Sequence, residues 1–75
     1  MKIYVVQILV EDIDSNTCSV EVFKNLKDAQ RYANDEIDSY AMDYDGNVIE
    51  RADLNYTMES GDTYVTISIE EKEIN

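Results

Sequence analysis

The chain contains no histidine and a single cysteine, Cys18, among its 75 residues. Without histidine, neither a Ser-His nor a Cys-His nucleophile can be assembled, and the commonest general base is missing. The same shortage excludes a disulfide within the chain and a zinc site built from cysteine and histidine. The composition therefore argues against an enzyme, and we expect no catalytic residue and no cofactor.

Glycine is almost as scarce, with only Gly46 and Gly61. Phosphate-binding loops need several glycines, so we expect each of these two to serve a turn instead. The segment 43–47 is similar to part of a calcium-binding loop. Aligning Gly46 with the glycine of that loop places Ala41 and Ala52 where carboxylate ligands belong. The sequence therefore predicts no metal site.

Positively charged residues are also scarce. The chain has 6 Lys and Arg against 17 Asp and Glu, which gives a net charge of −11. Such a surface repels nucleic acid and anionic membranes. Basic proteins remain possible partners, including proteins that themselves hold nucleic acid. The 44% of hydrophobic residues is typical of a folded chain. We expect one acidic domain covering residues 1–75.

The longest apolar run, Ile3–Val10, holds eight residues and leads directly into Glu11 and Asp12. It is too short for a membrane span, which needs about 20 apolar residues, and it lacks the small-residue cleavage site of a signal peptide. A strand explains it better. A cytoplasmic location is expected, in which a lone thiol stays reduced.

The first third of the chain predicts a hairpin. Ile3–Val10 is apolar on both alternating faces, which favours an interior strand. The polar segment 11–16 forms a turn, and 17–23 alternates as the second strand. Cys18 then lies with the apolar residues of that strand, so we expect a buried and inert thiol; the alternative is a redox or intermolecular disulfide role.

A helix is predicted from Leu26 to Tyr44. Its apolar residues follow spacings of three and four, and Asn25 is a suitable N-cap. Gly46 is expected to end the helix in a left-handed conformation. The apolar positions are Leu26, Ala29, Ala33, Ile37, Tyr40 and Tyr44.

The last third predicts a second hairpin, preceded by an unassigned stretch at 48–53. A two-residue turn at Ser60-Gly61 pairs Tyr56 with Val65 and places the apolar residues of both strands on one face. The charged residues 70–75 are expected to fray.

The predicted fold is therefore an α+β domain of order ββαββ, with a four-stranded, mainly antiparallel sheet and one helix on one face. One helix covers only one face of such a sheet. Because the first strand offers apolar groups to both faces, we expect a homodimer or a partner protein to cover the other.

Acidic residues supply the main functional signal. Besides those of the helix, acids follow the first strand (Glu11, Asp12, Asp14) and lie near the end of the sequence (Glu70, Glu71, Glu73). Asp43 and Asp45 oppose the helix dipole, a cost that recognition of a cationic partner would explain; the alternative is a solvated face that only maintains solubility. The candidate partner-binding residues are Asp28, Asp35, Glu36, Asp38, Asp43 and Asp45.

Tyrosine is frequent, with six in the chain. Tyr32, Tyr40 and Tyr44 lie on or beside the apolar stripe of the helix and are expected in the core. Tyr4 and Tyr64 fall in strands, where an amphipathic ring suits an interface.

The opening strand, 1–6, and the joint formed by Val22, Phe23, Asn25, Ala29 and Tyr32 resemble a recurring pattern. Small proteins of phages and bacterial mobile elements carry a similar first strand and a similar strand-to-helix joint. The resemblance covers residues 1–33. It implies a phage or mobile-element accessory protein, a setting that includes acidic inhibitors of host defence such as anti-CRISPR proteins.

These observations favour a non-enzymatic inhibitor that blocks a basic nucleic-acid-binding partner by mimicking phosphates with its carboxylates. The alternative is a small structural or regulatory module that binds through an apolar sheet face, with acidity serving solubility alone.

Overall fold

The computed structural model describes residues 1–74 as one antiparallel sheet of five strands with one helix. The strand order is β2-β1-β5-β4-β3. The α+β class is confirmed, but the predicted number of four strands was wrong. The elements are β1 (Lys2–Glu11), β2 (Asn16–Phe23), α1 (Leu26–Asp43), β3 (Asn47–Arg51), β4 (Asn55–Ser60) and β5 (Thr63–Glu73).

The additional strand is β3, which lies in the stretch that the sequence left unassigned. β3 is only five residues long, and its register against β4 shifts between Val48 and Glu50. A bulge interrupts the two-residue alternation by which strands are recognised in a sequence. This interruption explains why the pattern gave no strand signal.

The first hairpin is confirmed, and β1 is interior because it pairs with both β2 and β5. β5 runs along the whole of β1, from the pair Glu11–Tyr64 to the pair Lys2–Glu73. The prediction of a frayed end was therefore wrong for residues 70–73. Asn75 lies outside the described residues.

The second hairpin is also confirmed, but its predicted register was wrong by two residues. Tyr56 pairs with Ile67, and Ser60 pairs with Thr63, so the turn consists of Gly61 and Asp62. Gly61 has a φ of +53°, which a tight hairpin turn requires at this position. Moving the turn by one residue shifts the pairing by two, which leaves every side chain on its original face.

The core lies between α1 and one face of the sheet. Ala29, Ala33 and Ile37 of the helix are fully buried against it. Two alanines at the contact let the helix approach the strands closely. The N-cap is confirmed, since the Asn25 side chain accepts a hydrogen bond from the Lys27 backbone N–H at 2.8 Å. The sheet contributes Val6, Ile8, Val10, Tyr56, Met58, Val65, Ile67 and Ile69.

The helix ends differently from the prediction. Asp45, not Gly46, adopts the left-handed conformation, with a φ of 53°. The Gly46 N–H donates to the Ala41 carbonyl at 2.8 Å, which completes a Schellman motif. Gly46 is instead required by close approach to β4, because a Cβ atom there would lie 2.6 Å from Met58 Sδ and 2.7 Å from Ser60 Cβ.

The opposite face of the sheet, here called the open face, is covered by no element of residues 1–74. Val20 and Val22 of β2 are 54% and 56% exposed on it. Cys18 lies in the same row and is also exposed, so the prediction of a buried thiol was wrong. The reason is that β2 is an edge strand, and its residues 16–22 are all exposed. The helix in this range is not long and apolar enough to cross a membrane.

Candidate functional site

The six acids predicted as one binding face are divided by the structure among different environments. Asp38 is ion-paired with Arg51, and the Arg51 guanidinium also donates to Asn34 Oδ1 at 2.7 Å. These contacts tie the middle of α1 to the end of β3. A contact within the chain therefore accounts for an acidic residue at position 38, without a binding partner.

Glu36 also has a role within the chain. Its carboxylate lies beside the Tyr32 side chain, and Tyr32 packs against Phe23 with ring centroids 5.2 Å apart. Burial raises the pKa of Tyr32 to about 12, and the adjacent Glu36 carboxylate contributes to the rise because it disfavours a phenolate. Glu36 therefore lies beside an aromatic pair that packs where β2 leads into the helix.

Asp28 and Asp35 are exposed on the outer surface of the helix, but they do not stand in a purely acidic environment. Lys27 precedes Asp28, and Arg31 lies three residues after Asp28 and four before Asp35, one helical turn from each. Because these cations interleave with the two aspartates, the outer face of the helix is of mixed charge.

Asp43 and Asp45 lie elsewhere, at the end of the sheet where α1 finishes. Three segments that are distant in sequence meet there: the β1–β2 turn, the end of α1 and the β4–β5 turn. The Thr63 hydroxyl donates to Asp12 Oδ1 at 3.3 Å, which joins the two turns. The Ser60 hydroxyl donates to the carbonyl oxygen of Tyr44, which joins the end of the helix to β4.

Together these segments form a surface that we call the acidic end. All of its carboxylates are exposed, and no lysine or arginine occurs in the three segments. Its members are Glu11, Asp12, Asp14, Asp43, Asp45, Glu59 and Asp62.

All six cations of the chain lie in the opposite half. Lys24, Lys27 and Arg31 flank or occupy the first turns of α1, and Arg51 ends β3. Two more, Lys2 and Lys72, lie where β1 begins and β5 ends. Since antiparallel strands bring these termini to one end of the sheet, every cation lies away from the acidic end, together with the other ten of the 17 carboxylates.

An exposed aromatic ring borders the acidic end. Tyr64 of β5 pairs in register with Glu11 on one side and Glu59 on the other, and it is 37% exposed on the open face. Tyr4 lies on the helix face and packs against the core, so core packing accounts for it. A phenol between two carboxylates suits contact with a lysine or arginine side chain.

The three helix tyrosines agree in part with the expectation of core packing. Tyr32 and Tyr40 are partly buried against the core. Tyr44 is 39% exposed, and its ring stacks on Tyr40 with centroids 6.3 Å apart. Tyr44 therefore forms the border between the core and the acidic end.

Sequence reasoning missed Glu59 and Asp62 as members of an acidic surface. The reason is the unassigned strand β3. In the observed ββαβββ order, β3 carries the chain to the far end of the sheet and β4 returns it, so the β4–β5 turn lies beside the β1–β2 turn and the end of the helix. The predicted ββαββ order would have placed that last turn at the opposite end.

Within residues 1–74, no ligand-sized pocket is found, and no three or more His, Cys, Asp or Glu side chains are grouped to hold a metal ion. Comparison with protein-family models, curated proteins and solved structures finds no match for this chain.

Proposed function

We propose that this protein is a non-enzymatic binding protein whose acidic end holds a basic protein partner. The main support is that seven exposed carboxylates from three separate segments lie on one surface, and that these segments contain no lysine or arginine. Such a surface attracts a positively charged protein and accelerates its association. Tyr64 adds an aromatic contact at the border of the same surface.

A partner that normally binds nucleic acid fits this surface best. The nucleic-acid-binding groove of such a partner is lined with lysine and arginine side chains that bind phosphates. Exposed carboxylates can bind the same side chains in place of the phosphates, through the same electrostatic attraction. The protein would then act as an inhibitor by competing with nucleic acid. The resemblance of residues 1–33 to phage and mobile-element proteins supports a host nucleic-acid-binding effector as the target.

The test compares two variants that lose the same number of charges. The acidic-end variant combines Asp14→Asn, Asp45→Asn, Glu59→Gln and Asp62→Asn; asparagine is chosen at position 45 because it tolerates a positive φ. The control variant combines Asp28→Asn, Asp35→Asn, Asp53→Asn and Glu70→Gln. Asp38 is left intact in both, because its removal would release Arg51.

Each immobilised variant is exposed to host lysate, the captured protein is identified, and its affinity is measured at several salt concentrations. We expect the acidic-end variant to bind about tenfold or more weakly and the control to bind nearly as the parent does. Added DNA should displace the partner. An equal loss of affinity in both variants would show that binding depends on net charge alone and not on the acidic end. Full affinity of the acidic-end variant would refute the proposal.

The open face favours a second candidate, a module that binds through apolar contacts. Leu9 lies beside Cys18, and Val20 and Val22 extend the same surface over β2. Binding through this face would survive the acidic-end substitutions, depend little on salt, and fail with Leu9→Lys. Those three results together would replace the first proposal with the second.

A further inference from the structure

The two edges of the sheet differ in how well they are protected against pairing with another strand. β3 is short and bulged and carries charged residues, which are the usual protections of an edge. β2 is regular over eight residues, has Glu21 as its single charged side chain, and contains neither lysine nor proline. We propose that two copies of this chain associate by antiparallel pairing of their β2 strands.

The backbone of β2 is oriented for this pairing. In the β1–β2 hairpin, the Asp12 N–H donates to the Ser15 carbonyl at 2.9 Å. Hydrogen-bonded and non-bonded pairs alternate along antiparallel strands. Counting from that bond, the backbone groups of Cys18, Val20 and Val22 are directed away from β1 and are free to bond to another strand.

The face alternation restricts the register. Residues that pair across antiparallel strands share a face, so a two-fold axis perpendicular to the sheet must lie midway between one residue and its own copy. An axis between the two Val20 residues pairs residues 17–23 with the same segment of the second copy. Val20 then lies opposite its counterpart, and Glu21 lies opposite Ser19, so no like charges face each other across the interface.

Charge complementarity selects a second copy as the occupant of this edge. The two-fold axis reverses the second molecule, so the acidic end of one copy lies beside the half of the other that contains all six lysines and arginines. In particular, the β1–β2 turn with Asp12 and Asp14 approaches Lys24 and Lys27 of the second copy. For a chain of net charge −11, these local contacts offset part of the repulsion between the two molecules.

The proposed association stops at two copies. Pairing the β2 strands consumes both unprotected edges and leaves a β3 strand at each outer edge of a ten-stranded sheet. An isologous contact of this kind closes on itself. Most of the acidic end remains accessible, because Asp43, Asp45, Glu59 and Asp62 lie toward the β3 side of each copy.

The first test measures mass in solution at high micromolar concentration by sedimentation equilibrium. We expect twice the 8.7 kDa mass of the chain. Val20→Lys places two like charges opposite each other and should weaken the dimer by about tenfold or more. Ile49→Lys is the matched control on the other edge and should leave the dimer intact; circular dichroism establishes that both variants remain folded.

The second test uses Cys18, the only thiol of the chain, as the attachment point of a nitroxide spin label. The Val20 axis separates the two Cys18 Cα atoms by four residues along the strands and one strand spacing across them, or about 14 Å. Electron paramagnetic resonance should therefore show dipolar broadening. In the control with Cys18→Ser and Ile49→Cys, the labels lie at opposite outer edges, and no broadening is expected.

A monomeric mass at high concentration would overturn the proposal. A dimer without broadening, or a dimer that survives Val20→Lys and dissociates with Leu9→Lys, would also overturn it in favour of packing between the open faces. Because these measurements need no other protein, their outcome is separate from that of the partner-binding test.

Discussion

Gly46 and Ser60 lie so close together that a Cβ atom on the glycine would come 2.7 Å from Cβ of the serine. The same added atom would lie 2.8 Å from the Glu59 carbonyl oxygen, which belongs to the backbone of β4 and has little freedom to move. The connection between α1 and β3 therefore packs directly on β4, next to the acidic end.

Gly46→Ala should consequently destabilise the protein by about 2–3 kcal/mol, because β4 or the helix end must shift to admit the methyl group. Gly61→Ala is the informative comparison. An added Cβ there meets no atom within 4 Å, but the φ of +53° strains an alanine, so we expect a cost of about 1 kcal/mol. Urea unfolding of the two variants measures both values, and a larger loss for Gly61→Ala would contradict the assigned roles.

The Asp38–Arg51 ion pair should contribute little to stability. Both side chains are about half exposed, at 58% and 43%, so water and salt screen the attraction. We expect Asp38→Asn to lower the free energy of unfolding by less than about 1 kcal/mol. A double-mutant cycle with Arg51→Gln should give a coupling of about 0.5 kcal/mol that decreases at high salt. A coupling that is large or insensitive to salt would show that the contact is more shielded than its exposure indicates.

Ile37 should be among the most sensitive positions of the helix. Its side chain is fully buried between α1 and the sheet, so Ile37→Ala leaves a cavity and should cost about 2–5 kcal/mol. Met42→Ala removes a side chain of similar size that is 82% exposed, and it should change stability by about 0.5 kcal/mol or less. Thermal unfolding compares the two, and similar melting temperatures would contradict the placement of the helix.

Stability should decline in alkaline solution because of Tyr32. Its folded-state pKa is raised to about 12 from 10.0, so the folded protein favours the neutral phenol. The associated stabilisation is fully present below pH 10 and is lost as pH rises through the folded pKa. Tyr32→Phe should therefore flatten the decline of the unfolding free energy above pH 10. Urea titrations at a series of pH values measure it, and an unchanged slope in the variant would show that Tyr32 does not cause the decline.

Several features of the fold followed from local patterns because local physics decides them. The spacing of Ala29, Ala33 and Ile37 predicts the buried face of α1, and the side chain of Asn25 supplies the predicted cap. The continuous apolar run of β1 predicts an interior strand. In each case, the residues that carry the signal are also the residues that make the stabilising contact.

The errors have equally specific causes. The bulge in β3 removed the alternation, and the shift of the turn to Gly61 and Asp62 was concealed because both registers place the same side chains on the same face. Cys18 alternates with valines as a buried residue would. Its exposure follows from the position of β2 at the edge of the sheet. That position cannot be predicted from the residues of β2 alone.

The amino-acid pattern alone accounts for an acidic chain without histidine, the helix, both hairpins and the core-facing residues of β4 and β5. The three-dimensional fold was needed to show that Asp38 is paired with Arg51, and that carboxylates around positions 11–14, 43–45 and 59–62 come to one end of the sheet, away from every lysine and arginine. Helix and strand periodicity act over neighbouring residues, whereas a charged surface depends on which chain connections the topology brings together.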